Sequence, residues 1–515
     1  MTQSSTLLTS SLPSPERLDA VRRYIKATWK TLTRTRSHIL KAAKDPKLEH
    51  VRQTPWIVYV SPKENFQQVQ TELEEILPAE ELAKIDLRVL PAEVSQIEEH
   101  GLLYLPWDYV VPGGRFNEMY GWDSYFIILG LLQDGERDLA RSIVDLFAYE
   151  IEHYGTVLNG NRTYMLNRSH PPLLTRMILQ VFQQTHDEQW VRSLLPIVEN
   201  YYFYWTVPPH LNQTTGLSHY NALGHGPAPE VLDSEKDEDG RTHYDRVREY
   251  YQNFEVKDYD VSLYYDAEAD QLTDLFYQGD RSMRESGFDI TNRFGPFSVD
   301  IIHYAPVCLN VLLYQMEQDI AQMHRIVKHK DQVEHWRHQA QVRHERIDQF
   351  LWDEDAGLYF DYNFGSGDRR PYEFATTFMP LWAGIASDTQ AQRLVENLSR
   401  FETEGGLLTS TNVSGNQWDA PFGWAPLHWF AVKGLQHYGY RDEALRLANK
   451  FITLVTQEFE RTGTIFEKYD LERCSAKVSD EIFFGYSSNE IGFGWTNGIF
   501  LDLLALCEEE SQQAS

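Results

Sequence analysis

Five polar blocks rich in aromatics carry the residue types that sugar chemistry needs. In VPGGRFNEMYGWDSYF, residues 111–126, a turn at Pro112, Gly113 and Gly114 leads into Arg115, Phe116, Trp122 and Asp123. Arginine offers forked donors, tryptophan a face on which the C–H side of a sugar ring stacks, and aspartate two acceptors for adjacent hydroxyls. A buried Arg–Asp pair closing a turn would use the same residues, so this block alone does not decide. NQWDAPFGWAPLHWF, 416–430, repeats the recipe with Gln417, Trp418, Asp419 and Trp424 ahead of a helical run. LNGNRTYMLNRSHPP, 158–172, places Asn159, Arg168 and His170 in a loop closed by prolines. RESGFDITNRF, 284–294, and TIFEKYD, 464–470, add further carboxylates.

These blocks punctuate a chain that reads as helix after helix from about residue 124, with apolar residues recurring at a period of 3.6. The periodicity predicts helices at 136–154, 171–185, 187–206, 299–327, 331–352, 374–386, 388–401, 426–438, 441–460 and 496–510. Short links such as YGYRDE, 438–443, mark antiparallel hairpins, and repeated hairpins imply a ring of helices with the polar loops at one end. Two stretches depart from this pattern. Around 55–92 the order is strand, helix, strand, which fits a small β-α-β module or an isolated edge hairpin. The acidic run opening 231–260 predicts a loop leading into a short helix, either a solvated surface or a lid.

Composition narrows the class. The 515 residues include 47 Lys+Arg against 76 Asp+Glu, a formal net charge of -29, which repels polyphosphates and anionic membrane surfaces. Neither nucleic acid nor a membrane is therefore expected as a partner. Cys308, Cys474 and Cys507 lack disulfide or zinc spacing, and the histidine groups at 324–329 and 335–344 lack a set of metal ligands on one face. No phosphate loop, dinucleotide fingerprint or serine-hydrolase elbow is present, so neither a metal nor a cofactor is expected. MTQSSTLLTSSLPSPERLD has no basic segment followed by an apolar one, and no later run is long enough to span a bilayer, so a cytoplasmic location is expected. The 13 Trp, 29 Tyr and 26 Phe suit a carbohydrate site, although large cores also hold aromatics.

The blocks resemble the inverting α,α-trehalases. PGGRF…Y.WDSYF over 112–126 and QWDAPFGWAP over 417–426 are similar to that family's two signature motifs, and NGNR.Y.L.RS.PP, EKYD and GFGWTNG to further blocks. The likeness runs over 103–505, and weakly over 20–47 through IKATWKTLTRT. It implies an all-α fold, an (α/α)6 toroid over 103–510; the residues before it predict a disordered tail at 1–18 and an N-terminal region at 19–102 carrying the small α/β insertion. It also implies Asp289 as general acid and Glu467 as general base. Such a pair divides the work: a protonated carboxyl gives its proton to the leaving oxygen while an ionised one activates water on the opposite face of the ring, the two standing roughly 6.5–9.5 Å apart. Asp289, next to Phe288, is expected to have the raised pKa.

By the same resemblance Arg115, Trp122, Asp123, Asn159, Arg168 and Gly287 hold the glucose under attack, and Gln417, Trp418, Asp419 and Trp424 line the same pocket. Phe116, His170, Glu230, Tyr486, Glu490 and Trp495 complete the binding set. The departures gather on the leaving-group side. Ala228-Pro229-Glu230 stands where the family has Arg-Pro-Glu, Tyr486 where it has Glu, and His170 where it has Gln. Each lost charge-assisted hydrogen bond is worth roughly 1.5–3 kcal/mol, enough to change discrimination tenfold or more. The expected substrate is thus a small neutral or mildly acidic α-glucoside: trehalose, or one with a smaller aglycone, glucosylglycerol or glucosylglycerate. A cationic His170 would favour the acid; a neutral one would serve as an ordinary hydrogen-bonding group. Two other readings are a phosphorolytic or transglycosylating enzyme, for which no motif is present, and a non-catalytic sugar-binding protein, against which the two carboxylates speak. The sequence does not set the oligomeric state.

Overall fold

The computed structural model describes residues 12–48, 55–234, 239–478, 482, 484–486 and 488–513. Among them, six helical elements form a closed inner ring. Gly121–Gln133 packs on Leu174–Thr185, then follow Val307–Ile326, the short pair Ala375–Phe378 and Met379–Trp382, Ala425–His437 and Gly494–Gln513, which returns to Gly121–Gln133. Pro15–Leu32, Arg137–Tyr154, Glu188–Thr206, Lys330–Leu351, Asp388–Asn397 and Arg441–Thr462 form the outer layer, giving an (α/α)6 toroid.

The layer a helix joins follows from its sequence. Gly121–Gln133, GWDSYFIILGLLQ, is buried on all sides from Gly121 to Leu131, as a helix surrounded by others must be. Arg441–Thr462 buries Ala444, Leu447, Ala448, Phe451 and Ile452 at helical spacing, and of its charged residues only Glu458 is buried with them, so it presents one apolar face. The ring closes through glycines. A Cβ on Gly498 would lie 1.9 Å from the Phe126 carbonyl oxygen, so only glycine lets these two inner helices approach.

Most expected helices fall where periodicity places them, with two shortened. The helix expected over 299–327 starts at Val307, because Pro306 holds its own φ while the residue before a proline is pushed to extended backbone; the preceding Pro296–His303 is a 3-10 segment. The one expected over 374–386 is a 3-10 turn at Ala375–Phe378 followed by Met379–Trp382. A disordered start over the first 18 residues is corrected in part: a helix begins at Pro15, and its buried Leu18, Val21, Ile25 and Trp29 pack on the toroid. Residues 1–11 lie outside the described part.

The 55–92 stretch is a β-α-β unit, not a hairpin. Trp56–Val60 pairs in parallel with Ile85–Val89 across the helix Phe66–Ile76, and Leu102–Leu103 joins its other edge, also parallel. WIVYV is buried throughout because it is the central strand, covered on both faces. In 231–260, of which 235–238 lie outside the described residues, the short helix is His243–Asn253, opened by a reciprocal Thr242–Asp245 capping box.

Candidate active site

The loops that precede the inner helices converge on one end of the toroid. They wall a cleft of about 760 Å³, its mouth included, lined from the segments at 112–123, 159–170, 284–289, 418, 467 and 486–495. The size suits a mono- or disaccharide ligand. Gly121–Gln133 and Gly494–Gln513 each bring a first-turn side chain to it, Asp123 and Trp495.

Asp289 and Glu467 both open on this cleft. Asp289 leaves the helix Asp274–Glu285 through Gly287, whose φ of 76° is the left-handed region and whose missing Cβ would sit 3.1 Å from the Trp122 ring. About a third of the Asp289 side chain (32%) faces the cleft, with Arg284 Nη1 3.7 Å from its Oδ2. That guanidinium is shared with buried Asp280 at 3.1 Å, and Asp280 also accepts the Tyr244 hydroxyl at 2.8 Å. Burial pushes the Asp289 pKa up to about 6; Arg284 opposes the rise and Glu467 adds to it.

Glu467 is 2% exposed and held on both oxygens. The Tyr486 hydroxyl donates to Oε1 at 2.5 Å, and Lys468 Nζ lies 3.3 Å from Oε2. Burial raises its pKa, while the Lys468 charge and the Tyr486 hydroxyl favour the ionised form. The two carboxyls thus differ in kind. Asp289 has its nearest cation shared with another carboxylate and a second, Arg168, farther off; Glu467 has an ammonium at 3.3 Å and a hydroxyl donor on its other oxygen.

Aromatics wall the space around them. Phe288 meets Trp122 and Trp418 edge-on at 5.4 and 5.1 Å, and Trp495 meets Trp122 at 5.8 Å. Asp123, in the first turn of Gly121–Gln133, is 5% exposed; burial, with Glu467 and Asp289 nearby, pushes its pKa well above the usual carboxylate range. His170 Nδ1 accepts the Trp122 amide at 3.2 Å, and burial with Arg168 beside it holds its pKa well below normal. It is neutral, which removes the cationic reading of that residue. Arg168 is ion-paired with Glu230.

The structure brings together Arg115, Phe116, Trp122, Asp123, Asn159, Arg168, His170, Glu230, Gly287, Asp289, Trp418, Glu467, Tyr486 and Trp495. Four expected lining residues stand behind the wall instead. Gln417 donates to the backbone oxygen of Asp289 and accepts from Lys468 at 3.2 Å. Asp419, fully buried, accepts from Thr291, Tyr372, Ser410 and Ser414 hydroxyls and from the Asn292 amide, pinning the loop that follows Asp289. Trp424 stacks on Trp418 with centroids 3.9 Å apart. Glu490 accepts the Arg115 amide at 2.9 Å and holds its side chain. Their position is set by which side of each loop turns inward, and motif spacing does not encode that.

Sequence reasoning passed over three cations. Arg284 and Lys468 lie inside the RESGFD and EKYD blocks, so proximity to the two carboxylates was their signal. Lys47 had none: it reaches the cleft wall from the N-terminal region and is anchored by Glu118 at 3.0 Å, a pairing only the tertiary fold creates.

A family model described as Trehalase matches residues 4–508. A cytosolic neutral trehalase of Kluyveromyces lactis is 36% identical over 92% of this chain and 69% of its own length. One of Saccharomyces cerevisiae is 38% identical over 77% of this chain and 56% of its own length, so the chain spans little more than half of that relative. Among solved structures, the neutral trehalase of S. cerevisiae superposes with a TM-score of 0.79 at 32% identity, covering 97% of this chain and 96% of that chain. A mannosylglycerate hydrolase of Thermus thermophilus, 19% identical with a TM-score of 0.52 over 77% of this chain and 96% of that chain, shares the fold alone.

Proposed function

We propose, from the premise that this chain belongs to the trehalase family of glycoside hydrolases, that it splits the α-glucosidic bond of a small α-glucoside with inversion. One observation carries the reading: a carboxyl whose pKa burial raises to about 6 and a second held by an ammonium and a hydroxyl donor open on one aromatic-walled cleft of disaccharide size. Asp289 gives its proton to the glycosidic oxygen as the C–O bond breaks. Glu467 takes a proton from water, whose oxygen bonds to the anomeric carbon from the opposite face, so the glucose attacked is released as β; with trehalose the leaving glucose keeps its α configuration. The aromatic walls supply the stacking face, and Arg115, Asp123, Asn159 and Arg168 are the groups placed to meet the hydroxyls.

Trehalose is the first substrate to test, since the relatives are named trehalases; their names also support a cytosolic location. Among the described residues no helix is long and apolar enough to cross a membrane. An aglycone smaller than a second glucose, glycerol or glycerate, is favoured by one feature of the leaving-group side. Ala228 is packed away from the cleft and the Tyr486 hydroxyl donates its hydrogen bond to Glu467, so neither supplies the charged sugar contact that an Arg and a Glu would make. The neutral His170 tells against a dedicated site for an acid, which places glucosylglycerol ahead of glucosylglycerate.

The test is a panel of trehalose, glucosylglycerol and glucosylglycerate with the first-formed anomer followed by NMR. β-Glucose from at least one is the expected result, with Asp289→Asn and Glu467→Gln each abolishing release while leaving the folded protein intact. First-formed α-glucose from glucosylglycerol or glucosylglycerate, or α-glucose without an equal amount of β from trehalose, overturns the inverting mechanism. Failure to cleave any of the three leaves the sugar-binding reading in its place.

A further inference from the structure

Tyr486 makes more contacts with the catalytic machinery than a sugar-binding side chain needs. Its hydroxyl donates to Glu467 Oε1 at 2.5 Å, and its ring lies between two cations, with Lys468 Nζ 4.0 Å and Arg115 Cζ 4.3 Å from the ring centroid. Both are within range of a cation–π attraction, so the ring is held in place as well as the hydroxyl. Lys468 is fully buried and its three donors have three acceptors: Ser488 O at 3.0 Å, Gln417 Oε1 at 3.2 Å and Glu467 Oε2 at 3.3 Å. Gln417 in turn donates to the backbone oxygen of Asp289. The chain Tyr486–Glu467–Lys468–Gln417–Asp289 thus joins the Glu467 carboxylate to the backbone that carries Asp289.

We propose that Tyr486 is a positioning residue for Glu467, fixing the carboxylate and favouring its ionised form, with Lys468 as the anchor that ties this arrangement to the segment bearing Asp289. The proposal rests on the reading of Glu467 as base. The groups facing Glu467 are Lys468, Tyr486, Glu490, Arg115 and Asp123, with Asp289 in the same cleft. Burial, with Glu467 and Asp289 adding to it, pushes the Tyr486 pKa well above the usual phenol range, so the hydroxyl keeps its proton to donate throughout the pH range of activity. A donor aimed at the charged form stabilises that form, and its removal raises the pKa of the base.

The experiment compares wild type, Tyr486→Phe, Tyr486→Glu and Glu467→Gln on α-glucosyl fluoride. Fluoride leaves without needing a proton, so the acid limb of the pH–kcat profile reports the ionisation of Glu467 and not the state of Asp289. Tyr486→Phe is expected to move that limb up by about one pH unit and to lower the plateau kcat about tenfold, with KM held within about twofold. Tyr486→Glu sets a second carboxylate beside the base and moves the limb further up. An unmoved limb in Tyr486→Phe, or a raised KM with kcat intact, overturns the proposal and makes Tyr486 a sugar contact. If Glu467→Gln still turns over the fluoride, the base assignment itself falls. A dead Glu467→Gln with an unmoved Tyr486→Phe limb removes only the positioning role.

Discussion

Replacing Arg284 with methionine takes away the cation that restrains the pKa of Asp289, and the pH profile should show it. The guanidinium Nη1 stands 3.7 Å from Asp289 Oδ2. At an effective dielectric of about 20 a charge pair at that distance is worth roughly 4 kcal/mol, or about three pH units at ~1.4 kcal/mol per unit. Two features reduce that figure: 32% of the Asp289 side chain opens to the cleft, where water screens it, and Arg284 shares its charge with Asp280. A rise of about one to two units is left. The direction follows from the role of the group: losing a nearby cation favours the protonated acid, so Asp289 holds its proton to higher pH. The basic limb of kcat/KM, which stands at about 6 if it follows Asp289 in the free enzyme, moves upward. Asp280 would be left buried without its arginine, with the Tyr244 hydroxyl and nearby His243, so the variant is paired with Asp280→Asn, which removes the carboxylate charge and keeps that acceptor. The assay is the pH dependence of glucose release under subsaturating substrate, with thermal melts to confirm folding. Because Arg284 also lines the cleft, the rate at the optimum falls too, and only the position of the limb is diagnostic. A basic limb that stays put or moves down refutes the assignment of Asp289 as the acid restrained by Arg284.

Gly287→Ala forces a side chain into left-handed backbone and within 3.1 Å of the Trp122 ring; a loss of about 2 kcal/mol in urea unfolding and about a tenfold drop in kcat/KM are expected. Unchanged kcat/KM would show that the turn does not aim Asp289. Asp419→Ala strips the acceptor from five donors and leaves the Asn292 amide without its partner, which should cost about 3–5 kcal/mol and abolish glucose release. A loss under about 1 kcal/mol would return Asp419 to a direct sugar-binding role. Raising ionic strength should leave KM nearly unchanged if the substrate is trehalose or glucosylglycerol, both uncharged, since His170 is neutral; a KM that climbs steeply with salt would point to an anionic aglycone.

The sequence by itself determined the helical ring and the identity of the blocks that would meet at its mouth. Helix periodicity is a local property: whether GWDSYFIILGLLQ is apolar all round or Arg441–Thr462 on one face only is written in consecutive residues, and so is the layer each joins. Motif residues likewise declared that carboxylates, arginines and tryptophans would be used together. Tertiary structure alone decided which of them touch the cleft and what protonation each has. Trp418 faces inward and Trp424 stands behind it, although the two lie six residues apart in one motif. Asp289 and Glu467 differ because one opens partly on the cleft and shares its arginine with Asp280, while the other is buried against Lys468 and Tyr486. Burial and partner distance set a pKa, and both depend on chain segments up to hundreds of residues apart, which no local pattern records.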